Sequence, residues 1–184
     1  MTTKRPKILA VVPNGNACES RHAQWLEADS LPGRERLLAA EWDYIYLGFD
    51  SEILDERIFT LAAEYAAYDE PDMFLFSSTA RRMPAGGYER PADRFHLLCE
   101  AAKDGGLYAL GNKLFSRRLF SSIDKPWVTP FLTEAFCRAD AIRTLSQPWI
   151  AVRNASTPTD AEFSAFIEHY AALAGDGGGG AWRM

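Results

Sequence analysis

The chain has 184 residues, 47% apolar and 24% charged, a composition typical of a globular domain that excludes disordered, collagen-like and coiled-coil chains. With 20 Lys and Arg residues against 25 Asp and Glu residues, the formal net charge is -5, which argues against a broad basic face for nucleic acid. Because about 100–200 residues per domain is usual, we expect one domain over residues 1–174 and a flexible glycine-rich tail over residues 175–184.

Apolar runs alternate with helical patterns in the first part of the chain. The continuous apolar run Ile8–Val12 predicts a buried strand, and the turn residues after it end that strand. Helical spacing predicts helices over Glu19–Asp29 and Arg34–Glu41. The aromatic and β-branched run Trp42–Phe49 then predicts a second strand, which ends at the acidic cluster of Asp50, Ser51 and Glu52.

The same alternation continues. Apolar residues at helical spacing predict an amphipathic helix from Asp55 to Tyr68, and Met73–Phe76 predicts a third buried strand. The segment Ser77–Pro91 contains glycines and prolines and predicts a long surface loop. Beyond it, patterns predict helices over Phe95–Lys103, Ser116–Ile123, Thr133–Leu145 and after the capping box of Thr159 and Glu162, and strands over Leu107–Phe115 and Trp149–Val152.

Strands that alternate with helices imply an α/β fold: a three-layer sandwich with a mainly parallel central sheet. Ligands of such sheets bind beyond the carboxyl ends of the strands, which is where Asp50 and Glu52 are expected. Two carboxylates there are hard ligands suited to Mg²⁺ or Mn²⁺. The alternative is an ordinary loop in which Asp50, Ser51 or Asp55 caps the next helix.

Five segments, taken in order, resemble the central part of family 2 glycosyltransferases. They are Gly33–Ala40, Trp42–Asp55, Tyr68–Ser77, Gly111–Phe120 and Thr133–Arg138. The resemblance covers about Lys7–Ala155 and implies a GT-A fold, that of the nucleotide-diphospho-sugar transferases. It also implies metal-dependent transfer of a sugar from a nucleotide-diphosphate donor to a glycan or glycoconjugate acceptor, in polysaccharide or glycoconjugate assembly.

The resemblance assigns roles to individual residues. It implies that Asp50 and Glu52 hold Mn²⁺ or Mg²⁺ and that Glu134 is the catalytic base. For Glu134 the alternative is an exposed acid in the first turn of a helix. Arg34 and Lys113 are candidates for contacts with the donor diphosphate, and Asn14 opens a turn that a nucleotide can approach; all three residues also suit ordinary surface positions.

Three departures from the family pattern favour other functions. Glu52 replaces an aspartate, Ala135 stands where the family carries the residue expected to be the base, so that Glu134 would have to take its place, and the segment from Pro13 to Trp42 leaves little room for the family's second strand. One alternative is therefore a catalytically impaired relative that binds a nucleotide sugar or a partner protein. Another is an unrelated Mg-dependent phosphate-handling α/β enzyme.

The sequence also predicts where the protein resides. No apolar run approaches the roughly 18 residues of a membrane span, and no signal peptide is recognisable. Cys18, Cys99 and Cys137 lack metal-site spacing, which indicates free thiols in a reducing compartment. We expect a cytoplasmic protein, with peripheral membrane association left open; the sequence does not indicate an oligomeric state.

Overall fold

The computed structural model describes residues 5–18, 21–79, 86–88, 109–125 and 129–152, and positions 160, 161, 164, 165, 167 and 168, which are helical. The strands in these ranges are β1 (Ile8–Pro13), β2 (Ala23–Ala28), β3 (Tyr44–Leu47), β4 (Ser51–Ile53), β5 (Met73–Ser78), β6 (Gly86–Tyr88), β7 (Lys113–Ser116) and β8 (Ile142–Val152). The helices with defined bounds are α1 (Arg34–Ala39), α2 (Arg57–Asp69), α3 (Arg117–Ser122) and α4 (Thr129–Arg138).

The described strands form one mixed sheet in the order β2-β1-β3-β7-β5-β8-β4, with β6 also paired to β8. The strands β1, β2, β3, β5 and β8 run in one direction, and β4, β6 and β7 run against them. Five of the eight described strands thus share one direction, as predicted, in a mixed sheet with three parallel and four antiparallel pairings. Strand β7 separates the two parallel groups because it pairs antiparallel with both β3 and β5.

Helices cover both faces of the sheet, which makes three layers. On one face, Tyr46 and Phe74 pack with Phe59 of α2 in a buried cluster. On the other face, Ile45 packs with Phe120 of α3 in a cluster that also takes in residues of α1 and α4. Successive residues of a strand point to opposite faces, so β1 and β3 contribute to both clusters and consist of apolar residues. The expected three-layer α/β fold is confirmed.

The strongly patterned elements lie where the sequence predicts them. Strands β1, β3 and β5 and helices α1, α2 and α3 match their predictions to within a few residues. Ser116 caps helix α3, and its Oγ accepts a hydrogen bond from the backbone N–H of Leu119 at 3.2 Å. This side-chain cap satisfies an amide that the helix itself leaves unpaired.

The helix predicted over Glu19–Asp29 is wrong, because Ala23–Ala28 is the strand β2, parallel to β1. Trp25 and Leu26 fit helical spacing, but the structure turns them to opposite faces of the sheet. Trp25 packs edge-on against Phe59, with 5.7 Å between ring centroids, and Leu26 packs against the other core cluster. The second strand that seemed to lack room is therefore present.

Three other predictions need correction. Gly86–Tyr88 forms β6, within the segment predicted to be a loop. The strand predicted over Leu107–Phe115 begins only at Lys113, after a turn over 109–112. The helix predicted over Thr133–Leu145 ends at Arg138, because Ile142 and Leu145 already belong to β8 and lie in opposite core clusters.

Several predictions concern residues that lie outside the described ranges. These are the helix over Phe95–Lys103, the capping box of Thr159 and Glu162, Cys99, and the tail over residues 175–184. The division into one domain and a tail stays a prediction. Among the described residues, no helix combines the length and apolar character needed to cross a membrane.

Asp72 fixes the amino edge of the sheet, where β5 and β8 begin. Its buried carboxylate accepts hydrogen bonds from Arg118 Nη2 at 2.6 Å and from the backbone N–H of Asp140 at 2.7 Å. Ser116 Oγ also donates to it at 3.3 Å. One side chain thereby joins the start of β5, the β7–α3 junction and the turn between α4 and β8.

We expect Asp72→Ala to lower the free energy of unfolding by about 2–4 kcal/mol, because it leaves a buried N–H and an ion-pair partner unsatisfied. The control is Asp69→Ala, which removes a half-exposed carboxylate that pairs with Arg143. Exposed pairs are worth about 0–1 kcal/mol, so this variant should lose little. Urea unfolding measures both, and equal losses would contradict the role given to Asp72.

Candidate functional site

A cavity of about 200 Å³ opens at the carboxyl edge of the sheet, on the face covered by α2. The turn after β1 forms one wall, and β4 forms the other. Its described lining residues are Val12, Gly15, Asn16, Ala17, Cys18, Tyr46, Gly48, Ser51, Glu52 and Ile53. Ser51 and Glu52 of the acidic cluster therefore line a cavity at the edge where ligands of α/β sheets bind, and Asp50 precedes them in the chain but is not among the described lining residues.

Asp50 is half-buried and bound to the turn over 109–112. Its Oδ2 accepts from the backbone N–H of Leu110 at 2.6 Å, and its Oδ1 accepts from that of Gly111 at 2.7 Å. Hydrogen bonds to a carboxylate are among the stronger ones in proteins, so the orientation of this side chain is fixed. Each oxygen keeps a further lone pair beyond these two bonds.

The acidic cluster does not cap the next helix in the way the alternative prediction requires for Asp50 and Ser51. Both residues bond to the 109–112 turn: Ser51 Oγ donates to the carbonyl of Gly111 at 3.2 Å. The hydroxyl of the buried Tyr46 lies 2.7 Å from Ser51 Oγ, and burial raises the pKa of Tyr46. Asp55 does bond to α2, since its Oδ1 accepts the N–H of Arg57 at 3.0 Å.

Gly111 permits the close approach between this turn and the acidic cluster. A β-carbon at Gly111 would lie 1.8 Å from Ser51 Oγ and 2.6 Å from Asp50 Oδ1. Both distances are well inside van der Waals contact, so any side chain here would push the turn away from Asp50.

Lys113 lies beneath the same turn and is fully buried. Its Nζ donates to the carbonyl of Ala109 and, at 2.6 Å, to Asn112 Oδ1, and it lies 5.8 Å from the ring centroid of Phe136. Burial lowers the pKa of Lys113 to about 7, although the charge of Asp50 opposes that shift. The described lining of the cavity does not include Lys113, so its predicted contact with a donor diphosphate stays a prediction.

Asn14 lies in the turn between β1 and β2, and acidic residues of β2 and just beyond it fasten that turn. Asn14 Nδ2 donates to Asp29 Oδ1 at 2.5 Å. Glu27 Oε1 accepts the backbone N–H groups of Gly15 at 2.9 Å and Ala17 at 3.1 Å, and Gly15 has a φ of 81°. Sequence reasoning missed Glu27 and Asp29 because it placed them in a helix; recognising β2 would have put them at a strand end.

Glu52 is exposed and sits in the edge strand β4, opposite Ala151 of β8. It faces the cavity together with the β1–β2 turn, whereas the carboxylate of Asp50 bonds to the 109–112 turn. Asp50 and Glu52 thus lie at the same edge of the sheet, but their carboxylates have different neighbours. Among the described residues there is no group of three or more His, Cys, Asp or Glu side chains that could hold a metal ion.

Arg34 lies at the start of α1 and contacts α3. Its Nη2 donates to the carbonyl of Phe120, and its guanidinium lies 5.1 Å from the centroid of that ring. Burial lowers the pKa of Arg34, with the charge of Asp124 opposing the shift. Its predicted contact with the donor is untested, and the described lining of the cavity does not include it.

Glu134 is buried in α4 and is neither exposed nor in the first turn, so that alternative prediction is wrong. Its Oε1 accepts a hydrogen bond from Arg138 Nε at 2.5 Å, and Arg138 also donates to the carbonyl of Ser122 at 2.9 Å. The neighbouring Ala135 is fully buried in the core cluster. The role of Glu134 as the base stays a prediction.

The fold is similar to that of S. aureus TarS. The structure of TarS 1-349 in complex with UDP-GlcNAc matches with a TM-score of 0.56 and 14% identity, over 91% of this chain and 66% of that chain. The complex of the same fragment with UDP gives 0.54 and 15%, over 91% and 65%. A longer TarS structure gives 0.51 and 14%, over 90% and 39%.

These comparisons establish the architecture. No protein-family model matches the chain, and no curated protein matches its sequence. The chain spans just under two thirds of the TarS 1-349 fragment. At this identity the likeness shows the fold, and the chain therefore has a GT-A-like α/β fold.

We expect Gly111→Ala to destabilise the protein by about 1–3 kcal/mol, because the added carbon overlaps Ser51 and Asp50 in a packed region. The matched control is Gly33→Ala, where a β-carbon meets no atom within 4 Å. Chemical denaturation compares the two variants. If both unfolded at the same denaturant concentration, the close approach at Gly111 would not be a constraint.

We expect Lys113 to make stability depend on pH. Its folded pKa of about 7 lies below the ordinary 10.5, so the unfolded chain binds more protons between these values. The free energy of unfolding should therefore rise with pH across this window, by up to about 1.4 kcal/mol per unit. Lys113→Met should remove this rise in unfolding measured from pH 6 to 9.5. Parallel profiles for the two proteins would contradict the shift.

Proposed function

We propose that this chain binds a nucleotide-diphosphate sugar at the carboxyl edge of the sheet and transfers the sugar to a glycan or glycoconjugate acceptor. The observation that carries the proposal is the fixed carboxylate of Asp50, next in the chain to the cavity-lining residues Ser51 and Glu52, in a fold that matches TarS structures with UDP-GlcNAc and UDP. A uridine diphosphate sugar is accordingly the first donor to test. Polysaccharide or glycoconjugate assembly is the pathway role we propose.

The cavity supplies two kinds of contact for such a donor. The turn after β1 offers the backbone of Gly15, Asn16 and Ala17 to the nucleotide, and bonds from Asn14 to Asp29 and from the turn to Glu27 hold it in place. The β4 wall presents the hydroxyl of Ser51 and the carboxylate of Glu52. In this proposal the described residues bind and orient the donor, and Arg34 and Lys113 support the elements around it.

We propose further that Asp50 and Glu52 hold Mg²⁺ or Mn²⁺ when the donor is bound. The donor set fits, because such ions commonly use one or two protein carboxylates and complete their shell with substrate phosphates and water. Asp50 keeps lone pairs beyond its two amide bonds, and Glu52 faces the cavity. A bound cation would neutralise negative charge on the leaving diphosphate.

Transfer also needs a base for the acceptor hydroxyl, and Glu134 is the candidate. A general base must come within hydrogen-bond reach of the proton that it removes. Glu134 already bonds to Arg138 inside a buried part of α4. This geometry favours a second candidate function, in which the chain binds the nucleotide sugar without turnover.

We expect wild-type protein to bind UDP-GlcNAc and UDP in isothermal titration calorimetry with Mn²⁺, and Asp50→Asn to weaken that binding by about tenfold or more, equivalent to about 1.4 kcal/mol. GDP and CDP serve as comparison nucleotides. Glu64→Gln, an exposed acid on α2, is the matched control and should bind like the wild type. Absence of nucleotide binding to the wild type would refute the proposal.

An assay of GlcNAc release or transfer then distinguishes an active transferase from a protein that only binds the nucleotide sugar. If Glu134 is the base, Glu134→Gln keeps donor binding and loses transfer. Full transfer by Asp50→Asn would refute the role of Asp50, and binding without any turnover by the wild type would establish the second function.

A further inference from the structure

The turn over 109–112 is held from two sides. On one side, the N–H groups of Leu110 and Gly111 bind the carboxylate of Asp50. On the other side, the ammonium group of Lys113 binds the carbonyl of Ala109 and the side chain of Asn112. The turn therefore connects the buried Lys113 on one side with Asp50 on the other.

We infer that Lys113 is a positioning residue for Asp50, acting through the 109–112 turn rather than by contact with a donor. The inference rests on the proposed function, because it names what orients the acid that receives the donor. Lys113 is fully buried under the turn and the described lining of the cavity does not include it.

A purely space-filling role does not account for this lysine. Burying an ammonium group carries a desolvation cost that an apolar side chain of similar length avoids. The hydrogen bonds of Nζ converge on the two ends of the turn, at Ala109 and Asn112, and the two amides between those ends point at Asp50. Losing Nζ would let the turn relax and would loosen the carboxylate.

The first test needs no ligand. In ¹⁵N-labelled protein, the amide proton shifts of Leu110 and Gly111 report their hydrogen bonds to Asp50, and Asp50→Asn gives the shifts of the weakened bonds. Lys113→Met should change the amide proton shifts of Leu110 and Gly111 by at least half of the difference between the wild type and Asp50→Asn. The core variant Leu37→Ala is the control for a general loss of stability and should leave them in place. Unchanged amides in Lys113→Met would overturn the inference.

A second variant covers the case in which Lys113→Met fails to fold. Asn112→Ala removes one acceptor of Nζ and leaves the lysine in place. It should move the same two amides in the same direction by a smaller amount. No movement in this variant would equally overturn the inference.

Donor binding tests the coupling itself. In a double-mutant cycle with UDP-GlcNAc and Mn²⁺, Asp50→Asn should weaken binding by about tenfold and Lys113→Met by several-fold, and the double variant should bind no worse than Asp50→Asn alone. If the affinity loss of the double variant equalled the product of the two single losses, Lys113 would act independently of Asp50. If the wild type binds no nucleotide, the proposed function fails, and the amide shifts still decide the role of Lys113.

Discussion

The candidate site depends on one close approach, between the backbone of Gly111 and the pair formed by Asp50 and Ser51. The N–H of Gly111 serves Asp50 and its carbonyl serves Ser51, so both polar groups of one peptide segment are used by two consecutive residues. No side chain fits between them. The interaction converts a surface acid, which would otherwise sample many rotamers, into a fixed carboxylate at the sheet edge.

The sheet topology makes this approach possible. Strand β7 runs antiparallel between β3 and β5, so the turn that precedes β7 reaches the edge at which β3 ends. The opposite edge is organised by Asp72, which ties together the segments that enter β5 and β8. The acid at one edge orders the framework, and the acid at the other edge, Asp50, is the one that we propose to act on a ligand.

The local sequence pattern predicted much of this fold. The elements that it missed depend on contacts between residues that are far apart in the sequence. Continuous apolar runs identified β1, β3 and β5, and helical spacing identified α2. In these elements the residues that form the buried faces are close together in the sequence. Strand β2 was not predicted, because Trp25 and Leu26 pack against helices on opposite faces of the sheet. Their spacing in the sequence is equally compatible with one face of a helix.

The same distinction applies to the site. The carboxyl-edge rule placed Asp50 and Glu52 correctly at the sheet edge, since it needs only strand order and direction. The partners of Asp50 lie sixty residues away in sequence, at Leu110 and Gly111, and no local pattern contains that information. The Glu134–Arg138 pair, in contrast, has the i, i+4 spacing of a helical ion pair and was accessible to sequence reasoning.

Both walls of the cavity rest on strands at an end of the described sheet, since β2 is outermost on one side and β4 on the other. Edge strands open at lower free-energy cost than central ones, and their amides exchange with solvent sooner. Opening of the β2 edge would release the carboxylate of Glu27 from the turn after β1. Asp50 bonds instead to the turn before β7, a strand in the middle of the sheet, so its carboxylate would stay oriented while the entrance deforms.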